Sequence, residues 1–307
     1  MVNLVVLCGL QGSGKSTYAK VSETLHGYKI VSSDEVRKEF PDAKNDTVFK
    51  IVYKRANELL ERGESVVLDA TNITIKSRGQ IFQNIKATCF KMCIVFNTPY
   101  TICVERVKAR NEKGDDHFVP LEVLERYYKS FEVPFYEEGW DTICFKNFDI
   151  GHKKSYVADM IKLLDKTNGF NQQNKHHTQD LGTHMLATAT RLEKLNPDLD
   201  DAVRLGARLH DVGKLFTQSF GEDGQAHYYS HANVGAYEIL SCVNTSVDAS
   251  YWLDVAFYVN YHMHMYNLNT EKSIKKWKHI FGKEKFALLE KVHEADMNSH
   301  AKGEEKW

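Results

Sequence analysis

A glycine-rich loop near the start of the chain has the residue types needed to bind a triphosphate. The loop reads Gly9-Leu10-Gln11-Gly12-Ser13-Gly14-Lys15-Ser16 and follows a short apolar run. Glycines let backbone N–H groups point at phosphate oxygens, and the helix that follows adds the positive end of its dipole. Lys15 is expected to reach the β- and γ-phosphates, and Ser16 is expected to bind Mg²⁺. The residues predicted to bind ATP in this loop are Gly9, Gly12, Ser13, Gly14, Lys15, Ser16 and Thr17.

Polar residues after the loop favour a kinase over the GTPases and ATPases that share such a loop. Asp34 can accept the proton of an acceptor hydroxyl as it attacks the γ-phosphate. Arg37, one helical turn later, can hold a phosphate of the acceptor. Asp69 and Asn72 follow the next strand and could orient the metal or the acceptor. The alternative for Asp34 and Arg37 is a helix N-cap with a surface ion pair.

A basic segment, Arg106-Val107-Lys108-Ala109-Arg110-Asn111, follows the fourth apolar run. Small P-loop kinases carry a lid at this place, where arginines can neutralise charge on the transferring phosphoryl group. We therefore predict that Arg106 and Arg110 contact ATP, and that Arg110 is catalytic. The alternative is a solvated basic face of a helix.

The second half of the chain carries histidines and carboxylates in an order that favours a metal site. His210 and Asp211 follow an apolar helical run, and the end of a helix would let both side chains reach one ion. Such ligands suit divalent transition metals such as Mn²⁺, Ni²⁺, Co²⁺ or Fe²⁺, which lower the pKa of bound water. Lys214, just past the turn, could bind a substrate phosphate. An isolated helical histidine is usually a partly buried polar residue, so the prediction rests on the whole set. The predicted ligands are His184, His210, Asp211, His231, His262 and Asp296.

The alternation of strands and helices predicts how the first half positions these residues. Strands are predicted at 2–8, 28–32, 65–68, 90–96 and 142–145, and helices at about 15–25, 45–62, 99–110 and 120–131. This order indicates an α/β domain with a parallel sheet and helices on both faces. Ligands of such sheets bind beyond the carboxyl ends of the strands, where Gly9, Asp34 and Asp69 are predicted to lie.

After residue 150 the pattern becomes mostly helical. A helix is predicted at 154–165, and a polar break over 167–174 follows it. We expect a P-loop kinase domain over 1–150, a linker helix and polar break over 151–170, and an all-α domain over 171–307.

Composition limits the classes of partner and compartment. The chain has 40 lysines and arginines against 41 aspartates and glutamates, so a nucleic acid would have to bind a local basic groove. The six cysteines form no C-x-x-C pair, which favours core thiols in a reducing compartment. No apolar run approaches the roughly 20 residues that span a bilayer. We expect a cytoplasmic protein with no membrane partner.

The first half resembles the kinase domain of the tailed-phage polynucleotide kinase and its relatives. The matching motifs are GLQGSGKST, SSDEVR, LDATN, and RNEKG followed by VPLEVLERYYKS, and they cover residues 1–145. The resemblance implies that Lys15 and Ser16 handle the ATP phosphates and Mg²⁺. It also implies that Asp34 is the general base for a 5′-hydroxyl and that Arg37 clamps an acceptor phosphate.

The same resemblance implies that Asp69 and Asn72 belong to the active site. One feature departs from the family pattern. The lid arginine of the family follows an Arg-Asn pair by a few residues, and this chain has Glu112-Lys113-Gly114 at that place. The lid role therefore falls to Arg110 or Arg106.

The second half resembles the HD phosphohydrolase superfamily, an all-helical metal-dependent fold. The matching stretches are NKHHTQDLGTHMLATA, RLGARLHDVGK, HANVGA and ADMNS, within residues 170–307. His231 and His262 suit the variants that hold a second metal bridged by Asp211, and His177 would contact phosphate. The residues implied to bind the first metal are His184, His210, Asp211 and Asp296.

Together the two resemblances favour an end-healing enzyme for nucleic acids, with RNA preferred. It would use ATP to phosphorylate 5′-hydroxyl ends and a metal to hydrolyse 2′,3′-cyclic phosphate or 3′-phosphate ends. It would act upstream of an RNA ligase in a bacterial or phage-infected cytoplasm. One alternative is a small-molecule or nucleoside kinase fused to a nucleotide phosphohydrolase. Another is a regulatory protein whose HD half only binds nucleotides.

Overall fold

A computed structural model of the protein describes residues 2–114, 118–147, 156–173, 179–243 and 249–299. The chain divides into two units, one of residues 1–127 and 134–152 and the other of residues 128–133 and 153–307. His177, which is predicted to contact phosphate, lies outside the described residues.

Five parallel strands form the sheet of the first unit, in the order β2-β3-β1-β4-β5. They are β1 (Asn3–Cys8), β2 (Lys29–Ser32), β3 (Val66–Asp69), β4 (Phe90–Phe96) and β5 (Thr142–Lys146). Val5 of β1 pairs with Val67 on one side and with Met92 on the other. Strands β1 and β3 are nearly uniform apolar runs because central parallel strands are covered on both faces. The predicted α/β fold with a parallel sheet is confirmed.

Six helices alternate with these strands. They are α1 (Lys15–His26), α2 (Ser33–Glu39), α3 (Asn45–Glu61), α4 (Ile75–Asn84), α5 (Tyr100–Glu112) and α6 (Leu121–Tyr128). Neither α2 nor α4 was among the predicted helices, although Asp34 and Arg37 were expected to lie one helical turn apart. Helix α2 begins because the Ser32 hydroxyl accepts hydrogen bonds from the N–H groups of Asp34 and Glu35. Asp34 was predicted at a strand end, but β2 ends at Ser32 and Asp34 lies in the first turn of α2.

Helix α4 begins with a capping box that the usual sequence pattern does not reveal. The hydroxyl of Thr74 accepts from the N–H of Ser77, and the hydroxyl of Ser77 accepts from the N–H of Thr74. The common pattern has Glu or Gln at the third helical position. Here the hydroxyl of Ser77 accepts the hydrogen bond that Glu or Gln would accept, so the usual sequence pattern does not indicate the start of the helix.

The second unit is almost entirely helical. Its helices are α7 (Tyr156–Asp165), α8 (Leu181–Leu195), α9 (Asp201–Leu209), α10 (Lys214–Thr217), α11 (His231–Cys242), α12 (Ala249–Tyr261), α13 (Glu271–Phe281) and α14 (Lys283–Met297). A 3₁₀-helix, His262–Asn267, follows α12. An unpredicted hairpin pairs β6 (Ser219–Phe220) with β7 (Ala226–His227), because two-residue strands leave no alternating pattern. Across the parts of the chain described above, no helix is long and apolar enough to cross a membrane.

Gly213 allows α10 and α11 to meet. A Cβ atom at this position would overlap the backbone oxygen of His231 and lie 2.6 Å from the backbone nitrogen of Gly235. Only glycine leaves room for this approach, which brings the start of α11 against the turn that follows α9.

A buried ion pair fixes the loop that follows β3. Arg78 of α4 is fully buried, and its Nε and Nη2 donate to Oε2 and Oε1 of Glu138 at 2.7 and 2.6 Å. Trp140 also donates to Glu138, at 2.9 Å. The Nη1 of Arg78 donates to the backbone oxygen of Asn72 at 3.2 Å. The predicted site residue Asn72 is therefore held in place by a charge pair inside the unit.

We predict that Arg78→Met destabilises the first unit by about 3–5 kcal/mol, because it leaves the Glu138 carboxylate buried without its partner. The matched control is Arg55→Met, which removes an exposed bidentate pair with Glu39 and should lower the free energy of unfolding far less. Urea unfolding of both variants measures the difference. Equal losses would show that the buried pair contributes no more than a surface pair.

Candidate active sites

The glycine-rich loop lies at the carboxyl edge of the sheet and is held by three neighbouring segments. The N–H of Gly9 donates to the backbone oxygen of Thr71 at 3.0 Å. The hydroxyl of Thr98 donates to the backbone oxygen of Ser13 at 2.9 Å, and Arg106 Nη1 donates to that of Gly12 at 3.2 Å. Gly12 has a φ of 78°, and a Cβ atom there would lie 2.7 Å from a backbone oxygen of α5. The close packing fixes the loop conformation.

Lys15 is buried in this loop, and its Nζ donates to the backbone oxygen of Leu10 at 2.7 Å. Burial lowers the pKa of Lys15, and the negative charge of Asp69 opposes that shift. The buried hydroxyl of Ser13 has no hydrogen-bond partner among the described residues. Ser16 is exposed in the first turn of α1. A buried ammonium beside an unsatisfied hydroxyl suits a phosphate group.

Asp34 and Arg37 form an ion pair on α2, with 2.9 Å between Asp34 Oδ1 and Arg37 Nη1. Arg37 Nη2 also donates to Oδ1 of Asn45 at 2.9 Å. The Asp34 side chain is 64 % exposed, and Ser32 rather than Asp34 caps the helix. Asp34 and Arg37 therefore form the surface ion pair that was the alternative to a catalytic role. The exposed carboxylate of Asp34 is also accessible to an acceptor.

Asp69 is the last residue of β3 and Asn72 follows in the next loop, whose Thr71 contacts the glycine-rich loop. Asp69 is buried at the end of the strand and is in register with Ser32 of β2. Asn72 has a left-handed backbone with a φ of 46°, and its amide donates to the backbone oxygen of Leu7 at 2.9 Å. Its buried Oδ1 has no hydrogen-bond partner among the described residues. Asn72 therefore ties this loop to the end of β1.

The two candidate lid arginines lie one turn apart on α5 and differ in their contacts. Arg106 reaches the backbone of the glycine-rich loop. Arg110 has buried Nε and Nη2 atoms that find no hydrogen-bond partner in the described part of the chain. Arg106 is thus the arginine that the structure places against the loop, while the role of Arg110 stays a prediction.

In the second unit, six predicted ligands from five segments converge on two buried groups. His184, His210 and Asp296 form one group, and Asp211, His231 and His262 form the other. Within each group the candidate ligand atoms lie within 4.8 Å of one another. His210 caps α9 and Asp211 follows it, so the end of a helix does bring both side chains to one place.

Asp211 lies between the two groups and uses a different oxygen for each. Its Oδ1 is 3.1 Å from Nε2 of His231 and 3.6 Å from Nε2 of His262. Its Oδ2 is 3.3 Å from Nε2 of His210 and 3.5 Å from Nε2 of His184. This arrangement has the form of a carboxylate that could bridge two ions.

The second nitrogen of three imidazoles is fixed by the backbone. Nδ1 of His210, His231 and His262 lies 2.7–2.8 Å from the backbone oxygen three residues earlier. A ring held in this way presents Nε2 to the interior, which is the usual arrangement of metal-bound histidine. Nitrogen and carboxylate donors in two converging sets fit divalent transition metals.

Strong electrostatic coupling accompanies this burial. Burial disfavours the charged form of His210, but the carboxylates of Asp211 and Asp296 outweigh it and raise the pKa of His210 to about 10. Burial acts in the opposite direction on Asp211, yet Lys214 and His210 hold its pKa well below the usual range. Burial lowers the pKa of His262. The site therefore concentrates charges that compensate one another.

Lys214 and two residues that the sequence analysis missed complete the surroundings of the ligands. Lys214 Nζ is 2.6 Å from Asp211 Oδ2 and donates to Oε1 of Gln172 at 2.9 Å. The hydroxyl of Tyr266 donates to Oδ2 of Asp296 at 2.8 Å. Tyr266 lies in the 3₁₀-helix that begins at His262, where a spacing of four residues does not place two side chains on one face, so no sequence pattern marks it. Nothing in the sequence pattern marks Gln172.

Comparison with family models finds a match in each half of the chain. Residues 4–134 match the model of an AAA domain, and residues 181–296 match the model of the HD domain. The prediction of a P-loop kinase domain followed by an HD domain is confirmed. These two domains also confirm the prediction of an enzyme with two functional parts.

Three similar proteins show how far the likeness extends. An adenylate kinase from Thermosipho melanesiensis is 26% identical over 168 residues, which cover 54% of this chain and 68% of the relative. A bifunctional polynucleotide phosphatase/kinase from Schizosaccharomyces pombe is 28% identical over 155 residues, which cover 48% of this chain but only 35% of the relative. A chain in the structure of the Pnkp1/Rnl/Hen1 RNA repair complex is 26% identical with a TM-score of 0.38, covering 41% of this chain and 42% of that one.

We predict that Tyr266→Phe weakens divalent-metal binding to the isolated protein by about 10- to 100-fold, because Asp296 loses the hydrogen bond that orients it. Calorimetric titration with Mn²⁺ measures the change, and Tyr229→Phe is the matched control because Tyr229 is exposed. An unchanged affinity in Tyr266→Phe would contradict the orienting role.

Proposed function

We propose that this chain, which joins an AAA-family P-loop kinase domain to an HD domain, heals broken nucleic-acid ends. The first domain would transfer the γ-phosphate of ATP to a 5′-hydroxyl, and the second would hydrolyse a 2′,3′-cyclic phosphate or a 3′-phosphate. The observation that carries the proposal is the pair of His/Asp groups around Asp211 in a chain that also holds a P-loop. RNA is the favoured substrate, because broken RNA with these ends needs both reactions before it can be ligated.

The proposed kinase reaction divides its tasks among residues at the carboxyl edge of the sheet. Lys15 and the N–H groups of the P-loop would bind the β- and γ-phosphates of ATP, with Mg²⁺ at Ser16. Asp34 would take the proton of the 5′-hydroxyl as its oxygen bonds to the γ-phosphorus and ADP leaves. Arg37, oriented by Asp34 and Asn45, would bind a phosphate of the acceptor strand.

Positive charge beside the transferring phosphoryl group would come from α5. Arg106 already contacts the P-loop backbone at Gly12, so its guanidinium would lie beside the phosphates that this loop binds. Arg110 lies one turn further along the helix and would act in the same way. Asp69 and Asn72 would orient the metal and the loop around it.

The proposed phosphohydrolase reaction uses the buried groups of the HD domain. Divalent metal bound by His184, His210, Asp211 and Asp296, and by His231 and His262, would supply activation of a water molecule near neutral pH. Lys214 would hold a phosphate oxygen, since its ammonium already lies beside Asp211. The fixed Nδ1 contacts keep the imidazoles in position without a change of rotamer on binding.

One relative supports this pairing of reactions by its name, but the region of similarity covers only part of each protein. The S. pombe relative is named for both a phosphatase and a kinase of polynucleotides, and the matched region is about a third of its length, 35%. Hydrolysis of a 3′-phosphate leaves a 3′-hydroxyl and inorganic phosphate, and a 2′,3′-cyclic phosphate would reach the same end after two successive hydrolyses, through a phosphomonoester. A 5′-phosphate and a 3′-hydroxyl are the ends that a ligase joins. An RNA ligase is therefore the proposed next enzyme.

A small-molecule kinase fused to a nucleotide phosphohydrolase is the second candidate. It is favoured by the likeness to an adenylate kinase and by the neutral net charge of the chain. The two candidates differ in the acceptor and share the same donor chemistry. Transfer of labelled phosphate to an oligonucleotide with a 5′-hydroxyl, and not to free nucleosides or AMP, supports the polynucleotide function.

We predict that Asp34→Asn lowers phosphate transfer to a 5′-hydroxyl oligonucleotide by about 10²- to 10⁴-fold, because the acceptor loses its general base. ATP binding should be unchanged, since the P-loop is untouched. The control Glu35→Gln alters the adjacent exposed carboxylate on the same helix and should keep full activity. Full activity in Asp34→Asn would show that another group accepts the proton.

We predict that Asp211→Asn abolishes metal-dependent phosphate release from 3′-ends and lowers the content of bound metal, because both groups share this carboxylate. Kinase activity should persist in the same preparation, and elemental analysis gives the metal content. Asp201→Asn, an exposed change at the start of α9, is the control. Normal phosphate release from Asp211→Asn would rule out the assigned metal site.

A further inference from the structure

A concentration of positive charge lies on the second unit, outside both candidate sites. Residues 271–285 contain six lysines and two glutamates, a net charge of +4, whereas the whole chain has a net charge of −1. The near-zero net charge of the whole chain therefore gives no sign of this strongly basic segment. Such a local surface is what a nucleic acid would require on this chain.

The lysines lie on the outer side of α13. Trp277 and Phe281 face inward, with Trp277 4.6 Å from the ring of His264 and Phe281 4.8 Å from the ring of Tyr261. A rotation of about 100° per residue puts Lys272 and Lys275 on the opposite side of the helix and Lys276 and Lys278 on its flanks, and all four are exposed. We call them, with the lysine at the start of α14, the lysine face: Lys272, Lys275, Lys276, Lys278 and Lys283.

Most of this charge is available to a ligand. Lys275 forms an exposed pair with Glu271 at 3.6 Å, a contact that contributes little in water. Within the described ranges, no carboxylate lies within ion-pair distance of the other four lysines of the face. Lys276 and Lys278 instead lie 5.4 and 5.7 Å from the centres of aromatic rings, which limits their motion.

The lysine face rests on the segment that carries a candidate metal ligand. Tyr261 directly precedes His262, and His264 lies two residues after His262. Both Tyr261 and His264 contact the inner side of α13 through the ring pairs given above. A single layer of aromatic side chains therefore separates the base of the lysine face from the segment that supplies His262, one ligand of the second group.

We propose that the lysine face binds the phosphate backbone of the single strand whose end is processed in the HD domain. This inference rests on the proposed function. The HD domain would bind the end of the strand at its metal site, and the lysine face would bind the phosphates further along the same strand. Lysines bind phosphates as point charges and release counterions, with no preference for sequence. The apolar side of α13 is packed against rings except at Ile274, which is 38% exposed, so the helix does not offer the continuous exposed apolar face with which amphipathic helices enter membranes.

The direct test is a salt series of RNA binding by the full chain, measured by fluorescence anisotropy. The probe is a short single strand with a 5′-phosphate and a 3′-hydroxyl, which neither proposed reaction converts. The variant Lys272→Gln, Lys276→Gln, Lys278→Gln is compared with Lys162→Gln, Lys166→Gln, Lys194→Gln, which removes the same charge from exposed lysines in α7, just after α7 and in α8. Thermal melting confirms that both variants are folded.

The proposal predicts that the face variant binds RNA on the order of tenfold more weakly at low salt, with a slope of log K against log salt that is smaller by about 2. The control variant should bind like the wild type. With a 3′-phosphate strand, the face variant should raise KM and leave kcat unchanged. With a 3′-mononucleotide, neither constant should change.

Two results would overturn the proposal. One is equal RNA binding by the face and control variants. The other is loss of binding to vesicles that contain phosphatidylserine while RNA binding is retained, which would assign the face to a lipid surface. If the wild type releases no phosphate from any RNA end, the proposed function fails, and the anisotropy series still decides whether this face binds RNA.

Discussion

Asp211 shares one buried carboxylate between two sets of imidazole nitrogens, and the second unit is organised around that contact. A buried charge is stable only when partners surround it, and here three of the imidazoles come from segments other than the turn that carries Asp211. His184 comes from α8 and His231 from the start of α11, while the 3₁₀-helix supplies His262. The glycine at position 213 permits the approach of α11 to this carboxylate. A helical fold without such close packing could not gather these groups, so the chemistry and the architecture depend on the same interaction.

In the first unit, too, each buried charge lies near a charge of opposite sign. Lys15 is buried next to the negative charge of Asp69, and Arg78 is buried against Glu138. Arg78 holds the loop of Asn72, whose amide returns to the end of β1. Because all five strands are parallel, their carboxyl ends lie at one edge, where these loops meet the P-loop. Backbone contacts thus fix the site before a nucleotide binds.

The sequence predicts the parts of this molecule that have local signals. The P-loop, the strands and the order of His184, His210-Asp211 and Asp296 depend on short motifs, and the structure brings the described ligands together. Contacts across long separations leave no such signal: Arg78 and Glu138 are 60 residues apart, and Tyr266 and Asp296 are 30 apart. The lysine face was missed for a different reason, because averaging over the whole chain cancels its charge.

The two proposed phosphate reactions act on opposite ends of one broken strand. They are tested most directly with a single RNA that carries a 5′-hydroxyl and a 2′,3′-cyclic phosphate, incubated with the wild-type chain, ATP, Mg²⁺ and Mn²⁺. Mass spectrometry of the product reports both ends at once. We expect a strand with a 5′-phosphate whose 3′ end has lost the cyclic phosphate. A strand with both ends unchanged, under conditions in which the same preparation phosphorylates a free nucleoside or nucleotide, would contradict the account.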